Sequence, residues 1–108
     1  MRRGELYRVY RSNKNDPKDS RVFVIVSRQT LIDSKFSTVV CAPIYSSFTG
    51  LSTQLEVGVS EGLKTSSCIF TDEMISIEKP KLTHFIGSIS HTKLAELNRC
   101  LKIALELD

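Results

Sequence analysis

No CxxC pair occurs in this chain, and its three cysteines, Cys41, Cys68 and Cys100, lie far apart. An odd, scattered set offers neither metal-ligand spacing nor a disulfide framework. Each sits in an apolar run, where a free thiol behaves as a small core residue. The reading is reduced, structural thiols in a cytoplasmic protein. The two histidines, His84 and His91, are not placed to form a ligand set, so neither a metal nor a cofactor is expected. No apolar run approaches membrane-spanning length, and no membrane partner is expected. The start, Met1-Arg2-Arg3-Gly4-Glu5, has the charge of a signal peptide but no apolar segment after it. Internal repeats, low-complexity tracts and linkers are missing as well. A chain of 108 residues then reads as one domain over residues 1–108.

What is present is a globular balance, with 41% hydrophobic and 25% charged residues. The net charge of +3 is unevenly spread. Residues 1–35 hold nine Lys/Arg against four Asp/Glu, and residues 36–108 hold six against eight. A basic front favours a polyanionic or phosphate-bearing partner. Ordinary solvated surface charge is the other reading.

The stretch Arg21-Val22-Phe23-Val24-Ile25-Val26-Ser27 is apolar at every interior position and rich in β-branched residues. It predicts a strand covered on both faces, hence central in its sheet. Arg21 stands where the chain enters it, after a polar loop from Arg11 to Ser20. Such a loop, long for a hairpin, is either functional or a floppy tip. Glu5–Tyr10 alternates as a first strand. Residues 28–34 suit a helical turn, and Thr38–Ile44 suits a third strand whose pairing weakens near Pro43. Residues 45–50 form a hydroxyl-rich loop, followed by a strand at Thr53–Val57 and a turn at Ser60-Glu61-Gly62. Ser67–Thr71 is another strand, with Glu73–Ile77 as its extension, and His84–Ile89 is a last short one.

The final element is a helix capped by Ser90, with Leu94, Leu97, Leu101, Ala104 and Leu105 on one side and Cys100 at the margin. It needs a sheet to pack on. Many short strands and one C-terminal helix predict a mainly β fold: a small, curved antiparallel sheet or SH3-like barrel.

Several segments, in order, resemble the MazF/PemK-like toxins. Arg3-Gly4-Glu5, a polar loop, and Arg21 heading a strand that ends Val26-Ser27 resemble the family's opening. Val40-Cys41-Ala42-Pro43-Ile44 is similar to its apolar-Ala-Pro-Ile-Thr strand, and Leu51–Val57 to its Leu-Pro-Thr-His-Val-Glu segment. Gly62-Leu63, the run from Ser67 to Lys79, Ile86–Ser90 and Leu101–Leu105 resemble the rest. The resemblance implies a CcdB-like fold and a homodimeric toxin of a type II toxin–antitoxin pair. It further implies a metal-independent, sequence-specific endoribonuclease (an mRNA interferase). Such an enzyme cleaves single-stranded RNA to a 2′,3′-cyclic phosphate and a 5′-hydroxyl. Its other implied partner is a cognate antitoxin with an acidic or disordered tail.

Cleavage by the ribose 2′-hydroxyl needs a base, an acid and donors for the charge on phosphorus. The resemblance assigns Arg21 the guanidinium fork that holds phosphate. The other reading of Arg21 is a surface ion pair with Asp16 or Asp19. The family's proline after this arginine is Val22 here, and its threonine after Pro-Ile is Tyr45. A phenol can donate to phosphate or stack on a base, or Tyr45 is an aromatic lid on the core. Ser46 or Ser47 would then supply the short hydroxyl. For the base, the resemblance points to Asp72, or to Asp16 in the loop; each is also a plausible turn residue. Family arginines are replaced by Phe70 and Ile75. Arg11, Lys14, Lys18 and Arg28 are the expected phosphate contacts, with Phe48, Gln54, Ser47 and Tyr45 for bases. Solvated loop charge is the alternative for each lysine. Two rival functions follow from the missing threonine: a non-catalytic toxin binding a protein target such as DNA gyrase, and an inactive paralogue that binds only antitoxin.

Overall fold

Residues 20–25, SRVFVI, form the middle strand of the sheet, β2 (Ser20–Ile25). Its side chains alternate between two cores, as the absence of a polar face requires. Val22 and Val24 join one cluster, and Phe23 and Ile25 the other. The computed structural model describes residues 1–11 and 17–107, with only the backbone of Pro17.

Among these residues the elements run β1 (Glu5–Tyr10), β2, α1 (Gln29–Ile32), β3 (Thr38–Tyr45), β4 (Gln54–Val57), β5 (Ser67–Phe70), β6 (Ile75–Glu78), β7 (His84–Ser88) and α2 (His91–Ala104). The strands make one curled sheet in the order β4-β5-β3-β2-β1-β7, with β6 pairing β3. Every pairing is antiparallel. The architecture is mainly β with a C-terminal helix, as the pattern predicts.

β3 is long enough to serve two partners along one edge. Thr38–Cys41 pairs β6, and Ile44-Tyr45 pairs β5. Pro43 falls in the gap between them, where a missing N–H costs least. The segment from Glu73 to Ile77 is therefore not an extension of the strand before it. A 3₁₀ turn, Thr71–Glu73, breaks the chain and sends β6 to the other half of β3. The regular strand at the centre also stops earlier than its apolar run. Beyond Ile25, the Val26 and Ser27 amides both donate to the Val40 carbonyl, and the Val40 amide donates to Ser27 Oγ at 2.7 Å.

Helix α2 covers the Leu6, Val22, Val24 and Ile44 face. Ser90 caps it by accepting from the Lys93 amide at 3.2 Å. Leu97 and Cys100 are fully buried at the centre of its stripe, flanked by Leu94 and Leu101. Cys100 is thus a core residue rather than a marginal one, while Leu105 lies past the last turn and is 53% exposed. The other face carries Tyr7, Phe23, Ile25, Val39 and Cys41, closed by Ile32 of α1 and by Leu82 and Ile77. Free and buried, Cys41 has its thiol pushed up to about 12 by desolvation.

The curl closes where β7 meets the turn after β4. Gly62, at φ 95°, caps the 3₁₀ turn Val59–Glu61, and a Cβ there would strike the Ile86 carbonyl oxygen. A Cβ on Gly87 would strike the Glu61 carbonyl oxygen. Backbone meets backbone at this seam, so both positions need glycine. Among the described residues, no helix is long and apolar enough to cross a membrane.

Candidate functional site

Arg21 is the second residue of β2, opposite Val9 of β1. On the other side, Val22 pairs Ile44, so Tyr45 at the end of β3 stands one rung on, beside Arg21. The Arg21 guanidinium carbon lies 4.3 Å from the centroid of the Tyr45 ring. Phe70 meets that ring edge-on, at 4.8 Å and 85°. The Tyr45 hydroxyl donates to Glu73 Oε1 at 3.0 Å. The ring is therefore fixed by a cation on its face, an aromatic edge beside it and a carboxylate at its tip.

Arg21 is half-buried and makes no ion pair among the described residues; in particular, it does not pair Asp19. Among the described residues, its fork of donors meets the ring rather than a carboxylate. The Tyr45 phenol is pushed up by burial first and then by its bond to Glu73 and that group's charge; Arg21 and Arg11 pull the other way. Arg11 thus lies within electrostatic reach of the phenol. Arg11 is exposed, and its amide donates to the Asp19 carbonyl at 2.9 Å, extending the β1–β2 ladder by a step. Two guanidinium groups, a phenol and a carboxylate thus share one rim. That set can grip a phosphodiester through cationic donors and handle a proton beside it.

Arg21, Tyr45 and Arg11 come together. Lys18 is exposed on the 3₁₀ turn Pro17–Asp19 that leads into β2. Lys14 and Asp16 lie outside the described residues. Asp72 is engaged elsewhere: its Oδ2 accepts from Thr53 Oγ1 at 2.6 Å, tying the 3₁₀ turn Thr71–Glu73 to the residue before β4. Gln54 has its amide committed to the loop, donating to Thr49 Oγ1 at 2.7 Å and accepting from the Thr49 amide at 3.2 Å. Arg28 is at the other end of β2, at the N-terminus of α1, in a groove of about 300 Å³ with Leu31, Met74 and Leu101. It does not share the Arg21 rim. Ser46, Ser47 and Phe48 line a cleft of about 470 Å³ that also touches Cys68, the β5 partner of Tyr45. Phe48 is 58% exposed there, and the Lys93–Glu61 ion pair, 3.1 Å, lies along the same cleft.

Glu73 is the residue that sequence reasoning missed. It is adjacent to Asp72, and only the 3₁₀ turn decides which of the two carboxylates reaches Tyr45. No periodicity in so short a turn carries that information. Among the described residues, no group of three or more His, Cys, Asp or Glu side chains is placed to hold a metal ion.

A family model for the PemK-like, MazF-like toxin of type II toxin-antitoxin system matches residues 2–105. Solved structures share the fold. The Mycobacterium tuberculosis toxin MazF-mt6 is 22% identical with a TM-score of 0.82, over 96% of this chain and 98% of that one. An endoribonuclease in complex with its cognate antitoxin, from Mycobacterial species, is 20% identical with a TM-score of 0.82, over 100% and 97%. A MazE-MazF structure from Deinococcus radiodurans is 15% identical with a TM-score of 0.78, over 100% and 97%. Among curated proteins, no sequence match is found.

Proposed function

The chain belongs to the PemK-like, MazF-like toxins of type II toxin–antitoxin systems, and from that premise we propose that it is a metal-independent endoribonuclease acting on single-stranded RNA. The observation that carries this reading is the Arg21 guanidinium, laid on the Tyr45 ring at 4.3 Å with no ion pair among the described residues. A cation fixed by an aromatic face keeps its N–H groups for an incoming anion.

In this reading Arg21 holds the non-bridging oxygens of the scissile phosphodiester and stabilises the charge that grows there as the 2′-oxygen attacks. Arg11 and Lys18 bind flanking phosphates, which adds affinity without sequence choice. The cleft beside Ser46, Ser47 and Phe48 accepts a splayed base, with the exposed Phe48 ring as its stacking surface. The products are a 2′,3′-cyclic phosphate and a 5′-hydroxyl. The working form is a cytoplasmic homodimer whose partners are mRNA and a cognate antitoxin.

The test is incubation of the purified protein with a long single-stranded RNA in EDTA, with the ends of the fragments identified by mass spectrometry. Cyclic-phosphate and 5′-hydroxyl ends at reproducible positions support the reading. Cutting only after a divalent metal is added, or no cutting together with arrest of DNA gyrase, removes it.

A further inference from the structure

We propose that Tyr45 and Glu73 form a proton relay for the attacking 2′-hydroxyl, with Tyr45 touching the ribose and Glu73 receiving the proton behind it. The proposal rests on the ribonuclease reading above and supplies the base that it leaves open.

The geometry selects Glu73 over its neighbour. Asp72 Oδ2 is engaged by Thr53 at 2.6 Å, while Glu73 Oε1 accepts from the Tyr45 hydroxyl at 3.0 Å. Glu73 is exposed, so its carboxylate exchanges protons freely with water between turnovers. Tyr45 keeps two lone pairs once its proton points at Glu73, and they are free to accept from a ribose hydroxyl. A neutral phenol bonded to a carboxylate cannot act as a strong base alone; it can pass a proton through. Its ring also carries Arg21 at 4.3 Å, so the relay and the phosphate grip share one rigid support.

The 2′-hydroxyl proton moves to the phenolic oxygen while the phenolic proton moves to Glu73. The 2′-oxygen bonds to phosphorus and the bond from phosphorus to the 5′-oxygen breaks. The leaving 5′-oxygen takes a proton from water, and Glu73 returns its own to solvent. Glu73 does not touch the ribose. It is a positioning residue that orients the phenol and accepts its proton. Among the described residues, the charged groups acting on the phenol are Glu73 on the 3₁₀ turn, Arg21 on β2 and Arg11 beyond β1.

The test is single-turnover cleavage by the full chain in EDTA at pH 7, with protein varied in excess over RNA, for wild type, Glu73→Gln, Glu73→Asp, Tyr45→Phe, the Glu73→Gln/Tyr45→Phe pair and Asp72→Asn. Glu73→Gln is expected to lower the maximal rate about 10²–10⁴-fold and leave the half-saturating protein concentration within about threefold. Tyr45→Phe should lose a similar factor, the pair no more than either alone, and Glu73→Asp should regain part of the rate. Asp72→Asn should stay within about threefold of wild type. The proposal is overturned if Glu73→Gln stays within twofold of wild type, or if the loss of rate falls on Asp72→Asn instead. A wild-type protein that cuts no RNA at all sinks the ribonuclease reading, whereas Arg21-dependent cutting indifferent to Glu73 sinks only the relay.

Discussion

At the scale of single residues, local packing decides which polar groups are available. Tyr7 and Tyr45 illustrate two outcomes on the same face of the sheet. The Tyr7 hydroxyl donates to Glu5 Oε1 at 2.9 Å, and burial followed by that carboxylate pushes it up to about 12. An unfolded tyrosine ionises near ~10. The unfolded state therefore sheds this proton first, so stability is intact below pH ~10 and is lost as pH rises toward 12. Cys41 acts in the same direction, its thiol raised to about 12 by desolvation. Urea midpoints measured from pH 8 to 12 should fall with pH, and Tyr7→Phe should flatten the upper part of that fall. Tyr45, by contrast, is only half-buried and lies at a rim with Arg21 and Arg11. Identity alone told Arg21 apart from other cations only through its place at the head of β2. That Tyr45 would be its support, and Glu73 the partner of Tyr45, depends on contacts across β3 and a 3₁₀ turn that local sequence does not encode.

At the scale of elements, the most legible pieces were those with a strong period. β2 reads from its unbroken apolar run because both of its faces are covered, and α2 reads from the spacing of Leu94, Leu97 and Leu101 behind Ser90. Replacing Leu97, fully buried, with Ala should cost about 2–5 kcal/mol, measured by denaturant unfolding. Ser90→Ala should cost about 1 kcal/mol through the lost cap. Less legible was the fate of residues 71–78. A β-rich run interrupted by Asp72-Glu73 looks continuous in sequence, yet the turn moves β6 to a separate stretch of β3. The seam between Gly62 and Gly87 was also hidden, since close backbone approach leaves no pattern beyond glycine itself. Gly87→Ala should destabilise by about 1–3 kcal/mol, because the new methyl group meets the Glu61 carbonyl oxygen with only backbone to yield.

At the scale of the whole molecule, the fold divides the basic front of the chain. Arg11 and Arg21 border one rim and Lys18 lies on the turn that leads into β2, while Arg28 from the same basic third is carried to the far end of β2. Composition could not separate these. Binding to an uncleavable 2′-O-methyl RNA should weaken as salt rises, by about 0.7 in the log–log slope per phosphate neutralised. Arg11→Ala should reduce that slope by about one contact's share, read by fluorescence anisotropy, without changing which sequence is preferred. In the proposed reaction the Arg21 guanidinium, seated on Tyr45, stabilises the phosphodiester during 2′-attack. Single-turnover cleavage by Arg21→Ala at saturating protein tests it most directly. A rate lowered by at least about 10²–10³-fold, with RNA still bound, is the predicted result; a rate equal to wild type would contradict it.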